Sequence, residues 1–210
     1  MNRSSVLLIG VLLTVIASYV GLVVIPNWQL GVLEPVEIAD GTTRPIEPEG
    51  SVAEGRRVYN ELGCVYCHSQ QVRPEDFGTD HERGWGTRQT HPVDHIHDKP
   101  HLLGTMRTGP DVANIANRQP SRTWHHLHLF HPETTSPGSN MPPHRFLYEA
   151  LPREGQERPD DALDLPDGFG DPDKWYVPTD RAEALVDYLL SLDHSYEIDP
   201  EQLPFDLQEP

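Results

Sequence analysis

Cysteine occurs only twice in this chain of 210 residues, methionine three times, and lysine twice, at Lys99 and Lys174. Two cysteines exclude a disulfide framework and a four-thiolate zinc site. The 16 basic residues face 33 acidic ones, for a net charge of −17. That balance excludes nucleic-acid binding, because a phosphate backbone requires a basic surface. Hydrophobic residues reach only 36%, so the core is modest, roughly a hundred residues of folded domain, and a cofactor adding apolar surface would help complete it. Long apolar runs are scarce as well: one N-terminal run excludes a multi-span membrane protein. The acidic surface suits either steering of a basic protein partner or plain solubility.

What is present begins with that run. Val6 to Ile25, VLLIGVLLTVIASYVGLVVI, holds no charge and no proline. At about 1.5 Å per residue it covers roughly 30 Å, the thickness of a bilayer's hydrocarbon core. Arg3 precedes it, Pro26 is expected to end it, and Trp28 sits where an interfacial aromatic anchors a span. A cleaved signal peptide is the rival reading, but the run is long for one and no small-x-small cleavage site follows. The expectation is a retained anchor over 1–26 in a bacterial inner membrane, with the remainder exported to the periplasm. Prolines at 26, 35, 45 and 48 then predict an extended tether over 27–51.

Both cysteines fall in GCVYCHSQ, residues 63 to 70, with His68 directly after the second. A redox-active thiol pair would want a strand before the motif. What precedes it, VAEGRRVYNELG, reads as a helix with Val52, Val58, Tyr59 and Leu62 on one face, Ser51 as its cap and Gly63 as its stop. C-x-x-C-H is the attachment pattern of c-type haem. Cys64 and Cys67 can each form a thioether with a haem vinyl group, which holds the His68 imidazole against the iron.

Met141 and Met106 compete for the sixth iron position, with a histidine or an open position as further alternatives. Met141 lies in SPGSNMPP, a loop whose glycine and prolines can fix it against a flat cofactor face, whereas Met106 is close in sequence to the His68 side. Met141 is favoured, and Met106 reads as a core gap-filler. Thioether ligation favours ferrous iron and raises the reduction potential, which suits an electron carrier rather than a catalyst. Histidines cluster at 91, 95, 97 and 101 and again in TWHHLHLFHP. No carboxylate-supported metal site accompanies them, so surface or haem-edge roles are expected.

The last helix reads PTDRAEALVDYLLSLDHS, capped by Thr179 or Asp180, with Ala182, Leu185, Val186, Leu189 and Leu192 as its apolar stripe. A helix before the haem motif and another at the end match a small cytochrome c. There the two cross with a glycine and an aromatic from the first meeting an aromatic of the last; Gly55, Tyr59 and Tyr188 fit. The fold expected is mainly α, a class I cytochrome c-like domain with long loops on a single N-terminal transmembrane helix. The domain spans 52–193 and a C-terminal tail covers 194–210.

The runs EGRRVYNELGCVYCHSQQVRP, RTGPDVANI and WHHLHLFHPETTSPGSNMPP closely resemble the membrane-anchored mono-haem subunit (subunit II) of cbb3-type cytochrome c oxidases. The resemblance implies one covalent haem c beside a haem-copper oxidase catalytic subunit, relaying electrons from a dihaem cytochrome c subunit or a soluble cytochrome c. It implies His68 and Met141 as axial ligands, the Pro110 carbonyl as acceptor of the His68 ring N–H, and Arg107 at a haem propionate, against a solvated arginine. Trp85 and Trp124 would line the haem edge or pack the core. The chain carries no copper-site pattern, so catalysis is expected on another subunit. Two stretches depart from the family, 75–103 and an acidic, proline-rich insertion at 147–177 that reads as a surface excursion or as disorder. They leave open a nitric oxide reductase-like complex, another respiratory complex or a free-standing anchored cytochrome; a haem sensor or peroxidase would need an open iron position, against Met141.

Overall fold

The computed structural model describes residues 3–155 and 157–203. The chain is mainly helical, with two small antiparallel sheets. Helix α1, Arg3–Tyr19, passes through a π turn, Val20–Val24, into α2, Ile25–Leu30, so that one helix spans Arg3–Leu30. It is long and apolar enough to cross a membrane, and none of its apolar window is buried. The expected stop at Pro26 is not there. In the π turn the Ile25 N–H bonds back to the Val20 carbonyl, five residues away. That wider ring removes the clash a proline ring makes with the carbonyl four residues before it, and Pro26 enters as the first turn of α2.

The segment read as a tether is only partly extended. Val36–Glu37 (β1) pairs with Thr43–Arg44 (β2). Val36 is buried with Val93 and Leu203, with Ile38, Ile96, Tyr196 and Ile198 packed around them. Gln202 exchanges hydrogen bonds with the backbone of Glu37 at 3.0–3.1 Å. The tail is therefore fastened as far as Leu203, and residues 204–210 of the expected tail lie outside the described residues.

The core rests on two helices. The helix α3, Gly50–Glu61, opens before the expected Ser51 cap: Glu49 stands at the N-cap without a side-chain bond, and the Ser51 hydroxyl serves Asp187 instead. Gly63 ends it in the left-handed region, at φ +72°. In α6, Asp180–Ser191, the Thr179 hydroxyl accepts from the Ala182 N–H. The helices cross at Gly55, where a Cβ would lie 1.8 Å from the Ala184 carbonyl oxygen. The absent side chain is what allows this contact. The Tyr59 and Tyr188 rings meet edge to face, centroids 5.5 Å apart. Val58, Leu185, Val186 and Leu189 close the core around them.

Two shorter helices, α4 (Ile115–Arg118) and α5 (Arg122–Phe130), complete the domain. The insertion is ordered into structure: Tyr148–Pro152 (β3) pairs in register with Lys174–Pro178 (β4). The Leu163 N–H reaches the Tyr176 carbonyl at 2.8 Å, and Leu163, Leu165 and Tyr176 pack on the core. The excursion is thus a hairpin with an acidic outer loop.

Candidate haem site

An apolar cleft opens where the end of α3 meets α5 and α6. Tyr59, Cys64, His68, Pro110, Val112, Ile115, Trp124, His125, His128, Leu129, Met141, Leu185 and Leu189 line it. The left-handed Gly63 turns the chain out of α3 so that Cys64–Tyr66 forms a short 3-10 turn at the cleft wall. Cys64 is largely enclosed and burial pushes its thiol up to about 11; Cys67 is exposed, and the two are not joined.

His68 supplies the test of fit. Its Nδ1 lies 2.8 Å from the Pro110 carbonyl oxygen. A carbonyl only accepts, so Nδ1 carries the proton and Nε2 keeps a free lone pair. Gly109 presses on the same ring: a Cβ there would fall 2.3 Å from Cε1. Backbone bonds flank this contact, from the Gly109 N–H to the Cys67 carbonyl (3.0 Å) and from the Val112 N–H to the Ser69 carbonyl (2.8 Å). Met141 borders the same cleft, its N–H bonded to the Ser139 hydroxyl. Cys64, an imidazole with an available nitrogen, a thioether and an apolar wall share the cleft, with Cys67 three residues on from Cys64, and this set fits a haem.

The other singled-out residues divide. Trp124 lines the cleft and stacks on His128 at 4.7 Å, whereas Trp85 lies outside the lining, buried beside Arg107. Met106 is 59% exposed, so it fills no core gap. Arg107, read as a propionate partner or a solvated residue, is turned into a buried network instead. Its Nε donates to the Ser69 hydroxyl at 2.7 Å, and its two Nη atoms to the Asp80 carboxylate at 2.5 and 2.8 Å. Asp80 comes from the long loop after the haem motif, and the sequence offered no sign of that pairing.

The three histidines of α5 are engaged within the domain. His125 Nε2 bonds the Gln119 carbonyl, His128 Nδ1 the Thr135 hydroxyl, and His126 sits between Tyr148 and Glu183. Burial lowers the pKa of all three, that of His128 to about 4, so they are neutral packing groups rather than a cationic patch. Among the described residues no group of three or more histidine, cysteine or carboxylate side chains could hold a further metal ion. Sequence reasoning missed the cleft's far wall, Val112, Ile115 and Leu129, and the buried Ser69, Asp80 and Asp111. The only local sign of the latter was the G-P-D run after Arg107.

No curated protein matches the chain. A family model described as cytochrome c oxidase, mono-heme subunit/FixO matches residues 1–159, which takes in the apolar helix, the C-x-x-C-H motif, Pro110 and Met141, and stops within the insertion. The chain therefore belongs to the mono-haem subunit family of the cytochrome c oxidases.

Proposed function

We propose that this chain carries its haem as covalently attached haem c and relays electrons through it within a cbb3-type cytochrome c oxidase. The observation that carries the reading is the convergence of Cys64, His68 and Met141 on one apolar cleft, with the His68 Nδ1–H already held by Pro110. Cys64 and Cys67 would form the two thioethers, and His68 Nε2 and Met141 Sδ would hold the iron. When bound, the haem supplies a one-electron ferric/ferrous couple. The chain's own part is to fix and enclose it. Pro110 holds the imidazole's tautomer and plane, as hydrogen-bond partners of ligating histidines do. Trp124, Leu129, Leu185 and Leu189 exclude water, and a thioether ligand from Met141 would favour the ferrous state.

The domain acts as a class I cytochrome c over 52–193, anchored by the N-terminal helix and facing the periplasm. With His68 and Met141 both holding the iron, this chain would leave oxygen reduction to a haem-copper catalytic subunit. A dihaem cytochrome c subunit or a soluble cytochrome c donates the electron. Extraction of the full chain in mild detergent tests this. Haem c by the pyridine haemochrome assay, lost when Cys64 and Cys67 are both changed to serine, is expected, with copper and a large multi-span subunit in the same native complex. A chain without haem c sinks the cofactor assignment, and one with haem c but running alone without copper sinks the complex.

A further inference from the structure

The long stretch after the haem motif brings a second carboxylate to the imidazole side of the cleft. Asp80 (2% exposed), Asp111 (0%) and Ser69 (1%) are buried, and Arg107 lies among them. Ser69 directly follows His68, and Asp111 directly follows Pro110. The Asp111 carboxylate bridges the two segments: it accepts from the Ser69 hydroxyl at 2.6 Å and the Gln71 N–H at 2.9 Å, and within its own segment from the Ala113 N–H at 2.8 Å. Arg107 bridges them again, to Ser69, to the Gln71 carbonyl at 2.7 Å and to Asp80. Asp80 also accepts from the Arg73 N–H at 2.9 Å, and Arg107 lies 5.1 Å from the Trp85 ring centre. Apart from the Ala113 bond, these contacts tie residues 69–73, residues 107–113 and the loop bearing Asp80 to one another. The His68–Pro110 hydrogen bond is the rung they enclose.

We propose that Arg107, held by Asp80 and Asp111, is the positioning residue for the His68 ligand, fixing the distance between the 68–71 and 107–111 segments and hence the plane of the imidazole. The inference rests on the haem c reading above. It gives the 75–103 departure a role: that loop delivers Asp80, which orients the guanidinium fork. A fork with five N–H donors in a plane can serve Ser69, Gln71 and Asp80 together; a lysine keeps the charge but not the planar geometry.

Arg107→Lys in the full, haem-loaded chain separates positioning from charge. The expected result is unchanged haem c content, an altered g anisotropy in the electron paramagnetic resonance spectrum of the oxidised protein, and a shifted midpoint potential. Asp94→Asn, which removes the equally buried Arg88–Asp94 pair away from the cleft lining, is the structural control. It should lower the unfolding temperature and leave spectrum and potential as in the wild type. Asp80→Asn gives the same comparison should the lysine variant not accumulate. Wild-type spectrum and potential in both Arg107→Lys and Asp80→Asn overturn the proposal, as does an equal spectral shift from Asp94→Asn. A wild-type chain without haem c fails at the earlier step, and that failure is read from the haemochrome assay before any variant is compared.

Discussion

The two halves of this domain are held by different physics. On one side α3 and α6 cross through a glycine and interlocked tyrosines, with Val58, Leu185 and Val186 at 0–1% exposure, and the Arg181–Glu61 ion pair between the two helices lies at the exposed rim. On the other, the 88–98 loop and the chain end are joined by buried charge. Arg88 donates to both Asp94 oxygens at 2.8 Å and Tyr196 adds its hydroxyl at 2.6 Å, while Arg56 of α3 reaches across to pair with Asp98. Burial by itself would push the Asp94 carboxyl up, but Arg88, His194 and Tyr196 outweigh it and hold it below the ordinary carboxylate range. Packing tolerates small errors by relaxing; a buried ion fails all at once when its partner goes.

The sharpest way to break the comparison is Asp94→Ala. It leaves the Arg88 guanidinium enclosed and unpaired and removes the acceptor of Tyr196 and of the His91 N–H. A loss of about 3–5 kcal/mol is expected, the cost of an uncompensated buried charge. Denaturant unfolding of the purified chain measures it, and a loss below about 1 kcal/mol would mean that water already reaches the pair. Next in size is Gly55→Ala on the other side. The new methyl meets backbone rather than a flexible side chain, so the helices must part, at about 1–3 kcal/mol. An unchanged midpoint would show that α6 slides freely.

The same division governs what was legible in the sequence. The helical half could be read from local signals: the apolar period of 182, 185, 186, 189 and 192, the Thr179 cap, the Gly63 stop, and the meeting of Gly55, Tyr59 and Tyr188. The cleft was legible because C-x-x-C-H and SPGSNMPP are compact. The polar half was not, since its bonds join residues far apart, Asp80 with Arg107 across 27 positions and Asp94 with Tyr196 across 102. No periodicity encodes such pairs. The β3–β4 hairpin was hidden for a related reason: prolines and acidic residues mask its alternation, and its strands meet only after the 153–173 loop closes. Pro26 misled because the π turn that accommodates it has no marker in composition.

The gentlest probe of the contrast is mild acid. His194 is enclosed by the polar half, 3.9 Å from Asp94 and 5.5 Å from the His95 ring, with Arg88 and Asp98 also acting on it. Burial is the largest influence and lowers its pKa from 6.5 to about 4, against the pull of Asp94. Between those values the unfolded chain takes up a proton that the folded chain refuses, so this stabilisation falls as pH drops below 6.5. From about pH 7 to about pH 5.5 the loss is about 1 kcal/mol. His128 titrates over the same range on the cleft side, so a global midpoint cannot assign the effect. Hydrogen exchange resolved by residue can: amides of 92–98 and 193–203 should lose protection over that range while those of 182–189 hold theirs. His194→Gln should flatten the loop's response and leave the helix crossing untouched. Equal acid sensitivity in both halves would erase the distinction and make the domain a single cooperative unit in which charge and packing fail together.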